Sequence, residues 1–396
     1  MKFRKKLAVA ALATTGLILT SVPAYAGSIN GSGATFAQPL IDVCKVEFTK
    51  DTGHTVNYTA GGSGKGRTDF TNNLVDFAAS DAVYTSGFPA HLEYAPVYAA
   101  PIAIFYNLPT VKEPINLSAE TVAQIFSGQI TKWNDPRIIE ENQNVTIKTP
   151  VYKTKKEVVT VGGKKVTKTV PALDKNGKPT VLRINTKTVN IALPNTAITV
   201  YYRTDSSGTS EQFGKFLQGA NAGANSGVWP KTASGTFANS TPNGLSGLFN
   251  FQGASGSALV AAGVKGKVGG IGYGEVGWAV DAKLPTASIK NAAGEFVQPT
   301  AAGTSAFLGQ SGTILANGSV TTDYKKSVSG AYSIGTASYG LVYPESAKKD
   351  PEKQKIVAAW HTYLLEQCPK KFPEKGYVQI TGPLYDKAKA QIAKIK

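Results

Sequence analysis

The sequence predicts an α/β fold in two lobes, on three observations. Short apolar runs alternate with helix-period stripes from the first ordered residues onward. The chain has 396 residues, 42% hydrophobic and 17% charged, a composition that folds and a length that accommodates two domains. Three clusters of Gly, Ser and Thr each lead into the start of a predicted helix.

At the N-terminus, Lys2, Arg4, Lys5 and Lys6 precede a mostly apolar run over residues 7–19, and Ala24-Tyr25-Ala26 is a small-x-small site. Residues 1–26 therefore read as a secretory signal peptide. The apolar run falls short of the ~20 residues that a membrane span requires. No Cys follows it to carry a lipid, so the expectation is an exported chain, periplasmic or at the cell surface and not evidently lipid-anchored. Removing its four positive charges takes the formal net charge from +16 to +12.

In the mature chain a helix is expected from about Pro39, with Leu40, Ile41, Cys44 and Phe48 on one face. Strands follow at residues 56–58 and 75–78, with a short helix over 66–74 between them, and residues 98–106 form an apolar run broken only by Pro101. Residues 150–190 differ in kind. Lys153, Lys155, Lys156, Lys164, Lys165, Lys168, Lys175, Lys178, Arg183 and Lys187 face only Glu157 and Asp174, a net of +8. Alternating Val/Thr and Lys around Gly162-Gly163, with a second turn at Asp174-Lys175-Asn176-Gly177, predicts one or two extended basic hairpins. Such a surface is either a cationic contact for anionic envelope material or a solvated edge whose lysines block strand pairing. Residues 226–257, rich in Gly, Ser, Asn and Thr, predict long loops. A last clear helix covers 354–367, with Ile356, Trp360, Leu364 and Cys368 in its stripe.

Cys44 and Cys368 are the only cysteines, so an exported chain permits one disulfide; two separate buried thiols fit the same stripes. His54, His91 and His361 are scattered, and no Cys/His spacing suits zinc. No metal or cofactor is expected, and a His-based hydrolase is poorly supported. Gly272-x-Gly274-x-x-Gly277 lacks the following βαβ unit with its ribose-binding acid, and Lys65 of the P-loop-like 61–66 is followed by Gly66 instead of Ser or Thr. Trp229 and Trp278 read as core before they read as sugar platforms.

The three clusters carry the chemistry. They are residues 31–36 before the first helix, 61–66 between a strand and a helix, and 203–209, where Thr209 and Gln212 fit a capping box. Each presents free N–H groups and the positive end of a helix dipole, which together make an anion site. Thr35, Ser63, Ser207 and Thr209 add hydroxyl donors. Arg203 offers a planar pair of donors, with Asp205 placed to hold it. Asp81 ends a strand, where open α/β sheets bind ligands. A carboxylate suits an anion that carries a proton, as phosphate does near neutrality and sulfate does not; the alternative role for Asp81 is a helix N-cap.

In order, residues 31–39 (GSGATFAQP), 56–66 (VNYTAGGSGKG), 75–82 (VDFAASDA), 125–135 (IFSGQITKWND), 202–213 (YRTDSSGTSEQF) and 270–275 (GIGYGE) resemble the substrate-binding protein of Pst-type phosphate ABC transporters. The resemblance implies a periplasmic-binding-protein type II fold, two α/β domains joined by two crossover strands with phosphate dehydrated in the cleft. Residues 27–104 plus 325–396 would form domain I and 105–324 domain II. Thr35, Phe36, Ser63, Asp81, Arg203, Ser207, Gly208 and Thr209 match the phosphate-binding positions, and Asp205 matches the partner of Arg203. Residues 152–188 look like an insertion, and the C-terminal segment with Cys368 matches weakly.

The implied function is non-catalytic: a monomeric receptor that captures inorganic phosphate and delivers it to the permease subunits of an ABC transporter, with no nucleic-acid partner. A secreted phosphatase or phosphoryl-transfer enzyme using the same pocket is one competitor, although no activated nucleophile or metal cluster is evident. A surface adhesin that uses the basic hairpin is another.

Overall fold

The structure, a computed structural model, describes residues 26–89, 91–161, 164–175, 180–221, 227–372 and 375–396. The expected signal peptide lies outside the described residues up to residue 25, as do the Gly162-Gly163 turn and the Asn176-Gly177 part of the second turn.

The first lobe begins with β1 (Ser28–Gly33), α1 (Gln38–Thr52), β2 (Thr55–Ala60), α2 (Ser63–Thr71) and β3 (Phe77–Ser80). Pro39 sits in the first turn of α1, where its missing N–H costs nothing, and left-handed Gly53 closes the helix by donating to the Thr49 carbonyl. The predicted stripe Leu40, Ile41, Cys44 and Phe48 is buried. Helix α2 starts three residues before the expected Gly66. That glycine is a packing residue inside the helix: a Cβ there would lie 2.6 Å from the Gly33 Cα. Strand β3 is two residues later than expected, registered by the Gly31–Phe77 pairing with β1.

Strand β4 (Glu93–Tyr106) carries the chain into the second lobe, which contains β5 (Asn116–Leu117), α3 (Ala119–Phe126) and α4 (Pro136–Glu141). Strands β6 (Val145–Tyr152), β7 (Thr154–Val161), β8 (Lys164–Pro171) and β9 (Val181–Val189) form the arm. There follow β10 (Thr199–Arg203), α5 (Gly208–Ala220), α6 (Phe237–Ser240), β11 (Phe251–Ala254), α7 (Ser257–Gly266), β12 (Gly270–Glu275) and α8 (Val276–Ala282). Then come β13 (Ser288–Lys290), β14 (Phe296–Val297), α9 (Ala301–Ser311), β15 (Gly312–Ile314) and β16 (Val320–Thr322). Strand β17 (Gly335–Val342) returns the chain to the first lobe, which ends with α10 (Pro351–Glu366), α11 (Cys368–Lys371) and α12 (Gly382–Ile392).

One curled sheet runs through both lobes in the order β11-β10-β12-β4-β17-β3-β1-β2. Its outer strands pair in parallel within each lobe, β1 with β2 and β3, and β10 with β11 and β12. The two crossover strands β4 and β17 pair antiparallel at the centre. This is the two-lobed periplasmic-binding-protein type II arrangement. Helices cover both faces, and the buried apolar side chains form a core that runs from Leu40, Phe48 and Trp360 in one lobe to Phe126, Phe213 and Trp229 in the other. Cys44 on α1 and Cys368 at the start of α11 are joined by a disulfide, with Cα atoms 5.8 Å apart. The arm is two nested hairpins, β6 with β9 and β7 with β8, and neither joins the main sheet.

Candidate functional site

Parallel strands that enter helices release their C-terminal ends at one edge of a sheet, and both lobes aim that edge at the same point. From the first lobe, β1 delivers Thr35 and Phe36, β2 delivers Ser63 and β3 delivers Asp81. From the second, β10 delivers Arg203 and, through the following turn, Ser207, Gly208 and Thr209, while β11 delivers Ser257. All are buried; Asp81 is 1% exposed and Arg203 2%.

Helices α1, α2 and α7 start here with no hydrogen bond from the side chain of their own N-cap residue, although the Ser257 N–H of α7 donates to Thr35 Oγ1 at 3.2 Å across the lobes. Helix α5 differs from expectation. The capping box predicted at Thr209 and Gln212 is displaced, because the helix begins at Gly208 and Ser207 is its cap, accepting from the Ser210 N–H. That releases Thr209 toward Asp81 Oδ2 at 3.5 Å and lets Gln212 donate to the Asp81 carbonyl at 2.7 Å. Gly62 is left-handed, and a Cβ on it would meet Asp205 Oδ2 at 2.5 Å; only glycine allows α2 to approach the opposite lobe this closely.

Arg203 is held on one edge by Asp205, with Nε donating to Oδ1 at 2.7 Å and Nη2 to Oδ2. Nη1 donates to Ser257 Oγ at 2.9 Å. Five donors less these three leave N–H groups on Nη1 and Nη2 for an oxyanion. Burial opposes ionisation of Asp205, but the hydrogen bonds and charge of Arg203, with the Gly256 N–H, hold its carboxyl below the ordinary value. The pair is internally neutral, so an anion here is bound by oriented dipoles and hydrogen bonds more than by net charge.

Asp81 caps no helix. Ser338 of β17 donates to its Oδ1 at 2.9 Å, and Ser63 lies 3.4 Å from Oδ2. Burial pushes its pKa up to about 6, while the bonds from Ser338, the Arg203 charge and Ser63 pull the other way. The carboxylate is thus a strong acceptor poised close to neutrality. Thr35 Oγ1 lies 3.0 Å from Ser257 Oγ, and the Thr35 carbonyl accepts from Trp278 Nε1, so Trp278 walls the site whereas Trp229 is core. Lys65 turns away to pair with Asp69 at 2.7 Å, which removes the P-loop resemblance.

Contacts between the lobes seal the point. The Gly64 N–H donates to the Ser206 carbonyl at 2.9 Å, and Arg67 faces Glu211 at 3.9 Å. Thr35, Ser63, Asp81, Arg203, Gly208, Thr209 and Asp205 are brought together by these contacts, while Phe36 is buried in the core beside Thr35 and Ser207 is taken up as the cap of α5. Sequence reasoning missed Ser257 and Ser338. Ser257 carries the same signal as Ser63, a glycine and a serine opening an apolar helix after a strand, hidden within a Gly/Ser-rich stretch. Ser338 carries no local signal, because its partner is 257 residues away. Among the described residues no group of three His, Cys, Asp or Glu side chains is arranged to hold a metal.

Residues 20–367 match the family model of a PBP superfamily domain. The chain is 31% identical over 390 residues to the phosphate-binding protein PstS2 of Mycobacterium bovis, covering 87% of this chain and 88% of that one. It is 27% identical over 372 residues to the phosphate-binding protein PstS of Pasteurella multocida, covering 92% and 90%. Its fold is similar to the crystal structure of an ancestral soluble variant of the human phosphate binding protein, with a TM-score of 0.63 and 20% identity over 92% of this chain and 93% of that chain.

Proposed function

The chain belongs to the PBP superfamily and, within it, to the phosphate-binding PstS proteins, and from that premise we propose that it captures inorganic phosphate outside the cytoplasm and delivers it to the permease of an ABC transporter. The observation that carries the reading is the convergence of three helix starts without a bond from their own N-cap side chain, a neutralised arginine and a buried carboxylate on one point between the lobes. Thr35 and Phe36 donate from the start of α1, Ser63 from α2, and Ser207, Gly208 and Thr209 from α5. Arg203 clamps two phosphate oxygens, and Asp205 fixes its plane. Asp81 accepts the proton that phosphate keeps near neutral pH. Sulfate has no such proton and would bring two acceptors together, an unpaired buried contact that rejects it.

Capture and release follow from the fold. The lobes, 27–104 with 325–396 and 105–324, part by flexing of β4 and β17, which breaks the Gly64–Ser206 and Arg67–Glu211 contacts and admits water. The protein is a monomeric binding protein without catalytic activity, and its relatives are named as binding proteins. The phosphoryl-transfer and adhesin readings find no support in those relatives. No described helix is long and apolar enough to cross a membrane. The exported location rests on the leader-like sequence, and the arm over 152–188 supplies contact with anionic envelope material.

Isothermal titration of phosphate into ligand-stripped protein tests the reading. One site per chain with sulfate excluded is expected. Absence of phosphate binding, or turnover of a phosphate ester, would overturn it.

A further inference from the structure

Hairpins β6/β9 and β7/β8 leave the second lobe at Asn142–Asn144 and return at Asn190–Ile191, pinned by the Ile191 N–H to the Asn142 carbonyl and the Asn144 N–H to Asn190 Oδ1. Asn142 at the root accepts from the Asn116 N–H, the neighbouring Ile115 N–H donates to the Tyr106 hydroxyl, and Tyr106 lies across Ile271 from Val200 near the N-terminal end of β10, whereas the binding site lies at its C-terminal end. The arm is therefore rooted at the end of the lobe remote from the cleft. Strands β6, β7 and β8 have eight residues and β9 nine, so each hairpin is roughly 25 Å long at ~3.3 Å per residue.

Its composition is unusual for a solvated edge. Tyr152, Val158, Val166, Leu173, Val181, Leu182 and Ile184 are all exposed, seven of the fifteen large exposed hydrophobics among the described residues. Four of the seven gather on β6/β9. Cross-strand partners Pro150 with Ile184 and Tyr152 with Val181 stack on one face of β6/β9, and Leu182 protrudes beside them at the irregularity opposite Val151 and Tyr152. Lys153, Lys155 and Lys156 continue directly from this patch and are exposed, Lys155 pairing with Glu157 at 2.6 Å.

We propose that the arm docks on a lipid bilayer containing anionic lipid: Tyr152, Val181, Leu182 and Ile184 enter the boundary between headgroups and acyl chains while the flanking lysines and Arg183 meet the headgroups. This deepens the envelope-contact reading and rests on it. Lysines alone would suit a soluble polyanion, but a polyanion leaves the aliphatic face in water, where apolar area is unfavourable. A second copy of the arm would bring two segments of net +8 together. A basic surface carrying Tyr, Leu, Ile and Val together is the pattern of an interfacial membrane contact.

The test uses the full mature chain and sedimentation with vesicles of equal parts phosphatidylglycerol and phosphatidylcholine, against phosphatidylcholine alone, from about 0.05 M to about 0.5 M salt. Wild type should bind the anionic vesicles, with a fraction surviving high salt. Lys153→Gln, Lys155→Gln and Lys156→Gln should each weaken partitioning about fivefold at low salt. Val181→Thr with Leu182→Gln and Ile184→Thr should keep low-salt binding and lose the salt-resistant fraction. Phosphate titration of every variant, expected unchanged, confirms that it is folded. If the aliphatic variant matches wild type at every salt, or wild type ignores anionic vesicles, the proposal fails. If wild type ignores vesicles but is retained on an immobilised polyanion, the envelope-contact reading survives alone; if it binds neither, both fall.

Discussion

The cleft draws its residues from Thr35 in the first lobe's opening segment to Ser338 on the returning strand β17, and the side chains that line it are buried and held by partners from distant segments. Among the described residues, the arm draws from one stretch, its strands pair only with one another, and most of its side chains are in water. One region is over-determined and the other barely constrained. A change in the cleft must therefore register in affinity or stability. A change in the arm must register only in whatever the arm touches.

Arg203→Ala is the largest expected break. It removes the only buried Lys or Arg among the described residues and leaves Asp205 without its cationic partner. Losing one member of a buried hydrogen-bonded charge pair costs ~2–5 kcal/mol, so phosphate affinity should fall at least about thirtyfold. Titration showing near-wild-type affinity would place the pocket elsewhere.

The disulfide comes next. It ties α1 to α11 across a separation of 324 residues. Cys44→Ala with Cys368→Ala should lower unfolding stability by ~2–4 kcal/mol with phosphate affinity unchanged. Urea denaturation of the variant measures the loss. Thiol titration of unreduced, denatured wild type should find no free thiol; two would remove the premise.

Asp81→Asn separates function from stability within the cleft. Its carboxyl is raised by burial from 3.8 to about 6. A raised folded pKa gives the wild type a contribution that is full below about pH 4 and lost as pH rises through about 6, worth up to ~3 kcal/mol. The asparagine variant lacks that loss, so ligand-free variant should gain stability over wild type above pH 6, seen as diverging urea midpoints between about pH 4 and pH 7. Its amide can donate to a fully deprotonated oxyanion, so the phosphate-to-sulfate affinity ratio should shrink. An unchanged ratio would show that Asp81 is not the discriminator.

The same contrast explains what the sequence made legible. The strand, Gly/Ser turn and helix start is a contiguous signal, so Thr35, Ser63 and the 203–209 turn could be read before any fold was known, and the arm could be read from its alternation of Val, Thr and Lys. Local signals failed where tertiary contact decides. Gly66 reads as a helix start but sits inside α2 because the Gly33 backbone passes against it. Thr209 reads as a cap, but Ser207 takes that place and Thr209 faces Asp81 across the lobes. Ser338 lies in a buried strand of small and apolar residues, and nothing nearby marks it as the group that orients Asp81. Positions whose role is a contact between lobes are visible only once the lobes are closed.

The smallest expected effect sharpens the comparison most. Tyr152 and Val181 are register partners, so residues 153–180 can be replaced by Asn-Gly, a turn that closes a two-residue hairpin without disturbing β6 and β9. The excision removes eight lysines and two acids, a net of six positive charges. If the arm is remote from the cleft and unconstrained by the core, phosphate affinity should stay within about twofold and unfolding stability within about 0.5 kcal/mol. The rate of association provides the finer test. A positive field near the cleft mouth would speed capture of phosphate at low salt and lose that advantage as salt rises. An arm rooted at the opposite end of the lobe gives no such focusing, so stopped-flow association should be the same with and without it at both salt extremes. A low-salt rate that falls severalfold on excision, with affinity falling in step, would mean that the arm reaches the cleft and serves capture, and the division between the two regions would be lost.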